Sequence, residues 1–105
     1  MERDEAAVEA EIKEKGLTAP RITPADIDAQ IAAASYHVFE GTTTTVCCLL
    51  LRNGFTVVGE SACADPRNFN EELGRKIAYD NARNKIWALE GYRLRDRLHY
   101  VATAQ

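Results

Sequence analysis

The dipeptide Asn53-Gly54 limits this chain more than any other feature of its sequence. It lies between two runs of strand-forming residues, 42–51 (TTTTVCCLLL) and 55–61 (FTVVGES). Asn-Gly accepts the positive φ angles of a type I′ turn, whose twist matches that of an antiparallel hairpin. A two-residue turn sets Leu50 opposite Val57 and Leu49 opposite Val58. Both faces of that pairing are apolar, so the spacing predicts a hairpin over 48–61 that is covered on both sides.

The flanking segments read as helices. Residues 5–15 are rich in Ala, Glu and Lys, which favour helix, and Gly16 closes them. LTAPRITP is extended by its prolines. Thr23-Pro24 with Asp26 starts a second helix, in which Ile27, Ile31 and Ala34 share a face, ending near Tyr36. Tyr36, Val38 and Phe39 suit a short strand that can join the hairpin. Asp65-Pro66 breaks the chain again, and Asn68 or Asn70 caps a long helix over 69–89. Leu73, Ile77, Ala82, Ile86 and Leu89 form its expected apolar stripe. Glu90-Gly91 is expected to interrupt it before a last helix over 92–100 and a loose VATAQ tail. The sum is an α+β fold: a small antiparallel sheet packed by N-terminal helices and a long C-terminal helix. A single domain over 1–105 is expected, with residues 1–22 a helix and extended arm and 23–105 the core.

Several function classes are disfavoured. No run approaches the ~20 apolar residues of a membrane helix. The acidic start MERDEAAVEAE lacks the apolar segment of a signal peptide, which predicts a cytoplasmic protein. Residues 1–40 carry nine acids and four bases, and residues 66–105 eight bases and five acids. The second balance is modest for a nucleic-acid polymer partner; it suits either a basic surface for a small anion or a solvated helical face. Cys47, Cys48 and Cys63 are odd in number and read as thiols. With His37 and His99 they show no metal-ligand spacing, so no metal or other cofactor is expected. Cys63 has no local base to activate it, and Glu60 and Asp65 suit a strand edge and a turn better than acid–base catalysis. No catalytic residue is expected. The phosphate motifs GxGxxG and GxxxxGK[ST] are absent.

What remains is binding chemistry near the long helix. Its first turn, at Asn68 to Leu73, presents free backbone N–H groups. Arg75 lies in the second turn, and Arg93 and Arg97 are four residues apart on one face; guanidinium forks suit phosphate. Phe69 and Tyr92 are the candidate stacking rings. Asn81 is a mid-helix polar residue, disfavoured there without a partner, which either hairpin backbone or a ligand would supply. The candidate ligand-binding set is therefore Asn68, Phe69, Arg75, Asn81, Tyr92, Arg93 and Arg97.

The strings ITPADIDAQI, NGFTVVGESACADPRNF and EELGRKIAYDNARNKIWALEGYRLRDRL carry a family likeness, extended by EAEIKEKGLTAPR near the start. They resemble the small tailed-phage protein family of gene product 49 of a coliphage and gene product 66 of a Shigella phage. The resemblance implies a phage or prophage protein in the cytoplasm of an infected host. That family is similar to the first class of Thoeris anti-defence proteins, oligomeric sponges that bind cyclic ADP-ribose-type signals and cyclic oligonucleotides without cleaving them. The resemblance thus implies a homo-oligomer that sequesters a small cyclic nucleotide immune signal. It carries over no ligand residue by position. The alternative is a phage accessory protein that binds and modulates a host protein through its acidic helices.

Overall fold

The computed structural model describes residues 4–103. Helix α1 spans Glu5–Glu14, α2 Pro24–Gln30 and α3 Glu71–Thr103; strands β1 (Ile31–Val38), β2 (Thr45–Leu51) and β3 (Thr56–Ser61) form one antiparallel sheet in the order β1-β2-β3. This is the expected α+β arrangement. No helix is long and apolar enough to cross a membrane among the described residues.

Helix α2 begins where the sequence places it. Thr23 and Asp26 form a reciprocal capping box, with the Asp26 amide donating to Thr23 Oγ1 at 3.2 Å and the Thr23 amide to Asp26 Oδ2 at 2.9 Å. The helix buries Ile27 completely. Its expected end near Tyr36 is corrected: it stops at Gln30, and Ile31 enters β1 directly. IAAAS is locally compatible with helix, but β2 offers it a ladder from Ile31 opposite Leu51 to Val38 opposite Thr45, broken only by a register shift between Ile31 and Ala33. Tertiary pairing overrides the local preference, and β1 is longer than the short strand expected at 36–39.

The hairpin register is also corrected by one residue. Leu49 faces Val57 and Leu50 faces Thr56. The loop holds three residues rather than two: the Leu51 amide donates to the Phe55 carbonyl at 2.8 Å, Gly54 alone takes a positive φ (91°), and Asn53 instead accepts the Phe55 amide on Oδ1 at 3.0 Å. That is a turn followed by a left-handed glycine, the three-residue hairpin solution. A one-residue slip changes which residues share a face. Thr45, Cys47, Leu49, Leu51, Val57 and Gly59 now all point inward and are buried. Val46, Cys48, Leu50 and Val58 point outward. The expected cover on both sides is absent among the described residues, for Leu50 and Val58 are 42% and 44% exposed.

Helix α3 lies across the inner face. At 33 residues it is about 50 Å long, and it runs unbroken through Glu90-Gly91, where an interruption was expected. A helical glycine costs only about 1 kcal/mol, and Glu90 is buried within the helix, receiving a 2.9 Å hydrogen bond from Arg93. The helix continues over Val101 to Thr103, so the loose tail is corrected for those residues; 104 and 105 lie outside the described residues. The buried stripe is Ala78, Ala82, Ile86 and Glu90, whereas Leu73 and Ile77, expected in it, are about half exposed. Small side chains win the inner face because the helix approaches the sheet closely at Gly59. Helix α1 buries no residue of its own. It is tied to α3 by Arg83, whose guanidinium reaches Glu5 at 2.6 Å and Asp28 of α2 at 2.8 Å.

Candidate functional site

The chain leaves β3 at Ser61 and must turn to enter α3 at Glu71, and a cleft of about 320 Å³ opens in that connection. Three side-chain anchors shape it. Thr43, from the β1–β2 loop, donates its hydroxyl to the Cys63 carbonyl at 2.7 Å. Ser61 donates to the Gly74 carbonyl at 2.7 Å, and Asn81 Nδ2 to the Glu60 carbonyl at 2.8 Å. Each bond ties the connection to a neighbouring element, so the walls are set by the fold.

Asp65 organises the turn between Cys63 and Asn68, outside the cleft lining itself. It accepts the Arg67 amide at 2.9 Å, which starts the 3-10 turn Pro66–Asn68, and pairs with the Arg67 guanidinium at 2.6 Å. That guanidinium, and then the amide, hold the Asp65 carboxyl below the usual carboxylate range. Cys63 donates its thiol to the Asp65 carbonyl at 3.3 Å. Asn70 caps α3, accepting the Leu73 amide on Oδ1 at 2.9 Å, one of the two caps the sequence offered.

Of the candidate residues, Asn68, Phe69 and Asn81 meet in this cleft. Asn81 finds the hairpin backbone, one of the two partners expected of it. The other four lie elsewhere. Arg75 pairs with Glu71 along the helix at 3.0 Å and does not line the cleft. Arg93 pairs with Glu90, and Tyr92 is 73% exposed. Tyr92, Arg93 and Arg97 lie more than 20 residues along the helix from its start, about 30 Å away by helical rise. One chain therefore does not bring the arginines and the cleft together.

The sequence reading missed Thr43, Asn70, Leu73 and Ile77 as cleft residues. Leu73, Ile77 and Asn81 step by four along α3, and that spacing was the available signal. It marks one helical face correctly, but that face borders the cleft instead of the core. The result is a mainly apolar hollow whose polar lining is mostly amide and hydroxyl. Glu60 enters it through its backbone carbonyl, and no cation lines it among the described residues.

A family model described as phage protein (N4 Gp49/phage Sf6 gene 66) matches residues 22–98. The chain belongs to this phage protein family. No curated protein and no solved structure matches it. The matched span of the Gp49/gene 66 family takes in the sheet, the cleft and most of α3, and it leaves α1 outside. Every cleft residue thus lies in the part the family shares.

Proposed function

We propose that this phage protein is a binding protein that captures a nucleobase-bearing cyclic signal in the cleft and holds it without cleaving it. Its place of action on this reading is the cytoplasm of an infected cell, and its effect is to withdraw a cyclic ADP-ribose-type molecule or cyclic oligonucleotide from host immunity. The observation that carries the reading is the set of three asparagines around Phe69. Asn81 commits its nitrogen to Glu60 and keeps its oxygen; Asn70 commits its oxygen to Leu73 and keeps its nitrogen. Asn68 makes no side-chain hydrogen bond among the described residues and faces the same hollow. Pinned amides offering both donors and acceptors suit the edge of a nucleobase, and a phenyl ring suits its face.

Arg75, Arg93 and Arg97 were expected to grip phosphates. None lines the cleft of its own chain, so the reading rests on base recognition.

The test is thermal unfolding of the full chain with cyclic ADP-ribose isomers and cyclic di- and trinucleotides. A ligand at a hundred times its Kd adds about 2.7 kcal/mol, which raises Tm by roughly 10 °C in a domain of this size. Asn68→Ala is expected to remove that rise while leaving the ligand-free Tm unchanged. The ligand recovered after denaturation should be intact. No response to any nucleotide sinks the reading, and a cleaved product replaces it with an enzyme.

A further inference from the structure

We propose that Arg83, Trp87 and Arg21 form a docking surface for a partner helix that presents two carboxylates one turn apart, and that α1 is the chain's own removable occupant of that surface. None of these three residues lines the cleft. The chemistry of the guest is read from what sits there now. Glu5 and Glu9 are four residues apart and share a face of α1. Glu5 Oε2 accepts from two donors at once, the Arg83 guanidinium at 2.6 Å and the Trp87 indole N–H at 3.3 Å. Glu9 accepts the fork of Arg21, at 2.8 Å on Oε1 and 2.7 Å on Oε2.

The two sides of this contact are held very differently. The donors have anchors besides α1. Arg83 is pinned by Asp28 at 2.8 Å and by the Pro24 carbonyl at 3.4 Å, so its Nη1 stays aimed at the guest position. Trp87, and Ile22 next to Arg21, pack against the core. Helix α1 has no such apolar hold: it buries none of its residues, and Val8 is 37% exposed. Its ten residues fall short of the roughly 12–15 below which an isolated helix is marginal. It also lies outside residues 22–98, the span the family model matches, whereas Arg83 and Trp87 lie inside it. A preorganised site beneath a weakly held cover favours exchange of the cover. Asp28 selects among anions. Its carboxylate shares the Arg83 guanidinium, so the second charge of a phosphate would be repelled where a single carboxylate is accepted. The guest is therefore an acidic helix of the pattern Glu-x-x-x-Glu, not a phosphorylated segment.

Trp87 is the only tryptophan in the sequence, so its emission reports on this surface in the full chain. The probe is a synthetic helix copying residues 4–15, DEAAVEAEIKEK, capped at both ends and titrated at low salt. Glu5→Gln with Glu9→Gln in the full chain weakens the internal occupant and leaves the donors intact. This variant is expected to show faster hydrogen exchange in α1 and to bind the probe with a Kd at least about tenfold below that of the wild-type chain. A probe carrying Gln at the same two positions should bind the variant at least about tenfold more weakly. Equal binding of the two probes overturns the proposal, as does equal binding of the acidic probe by variant and wild type. So does no binding of the acidic probe by the variant, which would leave Arg83 and Arg21 as structural ion pairs. Sedimentation equilibrium showing α1 exchanged between copies of the variant also overturns it, because the surface would then serve like chains and not a foreign helix.

Discussion

Gly59 and Ala82 meet backbone to backbone. A Cβ placed on Gly59 would lie 2.1 Å from the Ala82 amide nitrogen and 2.5 Å from the Ala78 carbonyl oxygen. This contact sets how close α3 comes to β3, and so how the helix start and the strand end frame the cleft. It also explains why the buried stripe of α3 carries alanines where larger residues were available one position away.

Gly59→Ala therefore cannot be absorbed by a rotamer change, since both neighbours are main-chain atoms. The helix must lift, at a cost of about 3 kcal/mol, visible as a lower denaturant midpoint. Gly91→Ala provides the opposite sign. It lies in the same helix with nothing within 4 Å of the added methyl, so it should stabilise by about 0.5–1 kcal/mol. Equal effects from the two substitutions would disprove the close approach.

Arg83 joins three helices. Its side chain is only 13% exposed and binds Glu5, Asp28 and the Pro24 carbonyl. Glu5 also accepts the Trp87 indole N–H at 3.3 Å. Because α1 buries no residue, polar contacts carry its docking. Arg83→Met is expected to cost about 2 kcal/mol, less than the 3–5 of a fully buried pair because Asp28 is well exposed. Hydrogen exchange should quicken first in α1. Unchanged protection in α1 would mean that other contacts hold it.

Much of this architecture was legible because the caps are local. Thr23, Asp26, Asn70 and Asp65 each act on a backbone N–H two or three residues away, and such signals survive in a linear reading. The errors arose where distant partners decide. Residues 31–36 lack a breaker and became strand only because β2 lay alongside. The loop at 52–54 turned on whether Asn53 or its neighbours absorbed the turn, a choice the burial of Leu49 and Val57 made. The site divided in the same way. Asn68, Phe69 and Asn81 converge because the chain folds back after Ser61, whereas the arginines were grouped with them by chemistry and the length of an unbroken helix parts them.

Two aspartates give the protein an acid limit. The Thr23 amide, its hydroxyl and the charge of Arg21 lower the Asp26 pKa, and Arg67 lowers that of Asp65. A carboxyl whose folded pKa is depressed adds stability above its unfolded value, near 3.9, and loses it as pH falls through the folded one. Unfolding free energy should thus be flat from about pH 7 to 5 for these two groups and decline below about pH 4. Asp26→Ala should weaken that decline, and with Asp65→Ala added it should weaken further. A slope below pH 4 that is identical in the double variant would assign the acid limit to other groups.

Thr45 poses the reverse case, a polar group whose removal should help. It is fully buried between β2 and the start of α3, and its Oγ1 has no hydrogen-bond partner among the described residues. Leaving such a hydroxyl unpaired costs on the order of 1–3 kcal/mol. Thr45→Val keeps the β-branched shape while removing the hydroxyl. The substituted methyl is slightly larger, and the site is tight, since a Cβ on Gly74 would fall 2.9 Å from the Thr45 oxygen. The two effects oppose one another, and the desolvation term is the larger, so a net gain of about 1 kcal/mol is expected. Gly74→Ala should be destabilising for the steric half of the same reason. A higher denaturant midpoint for Thr45→Val with a lower one for Gly74→Ala would establish both halves, whereas a clear loss in Thr45→Val would show that the hydroxyl is hydrogen-bonded in solution.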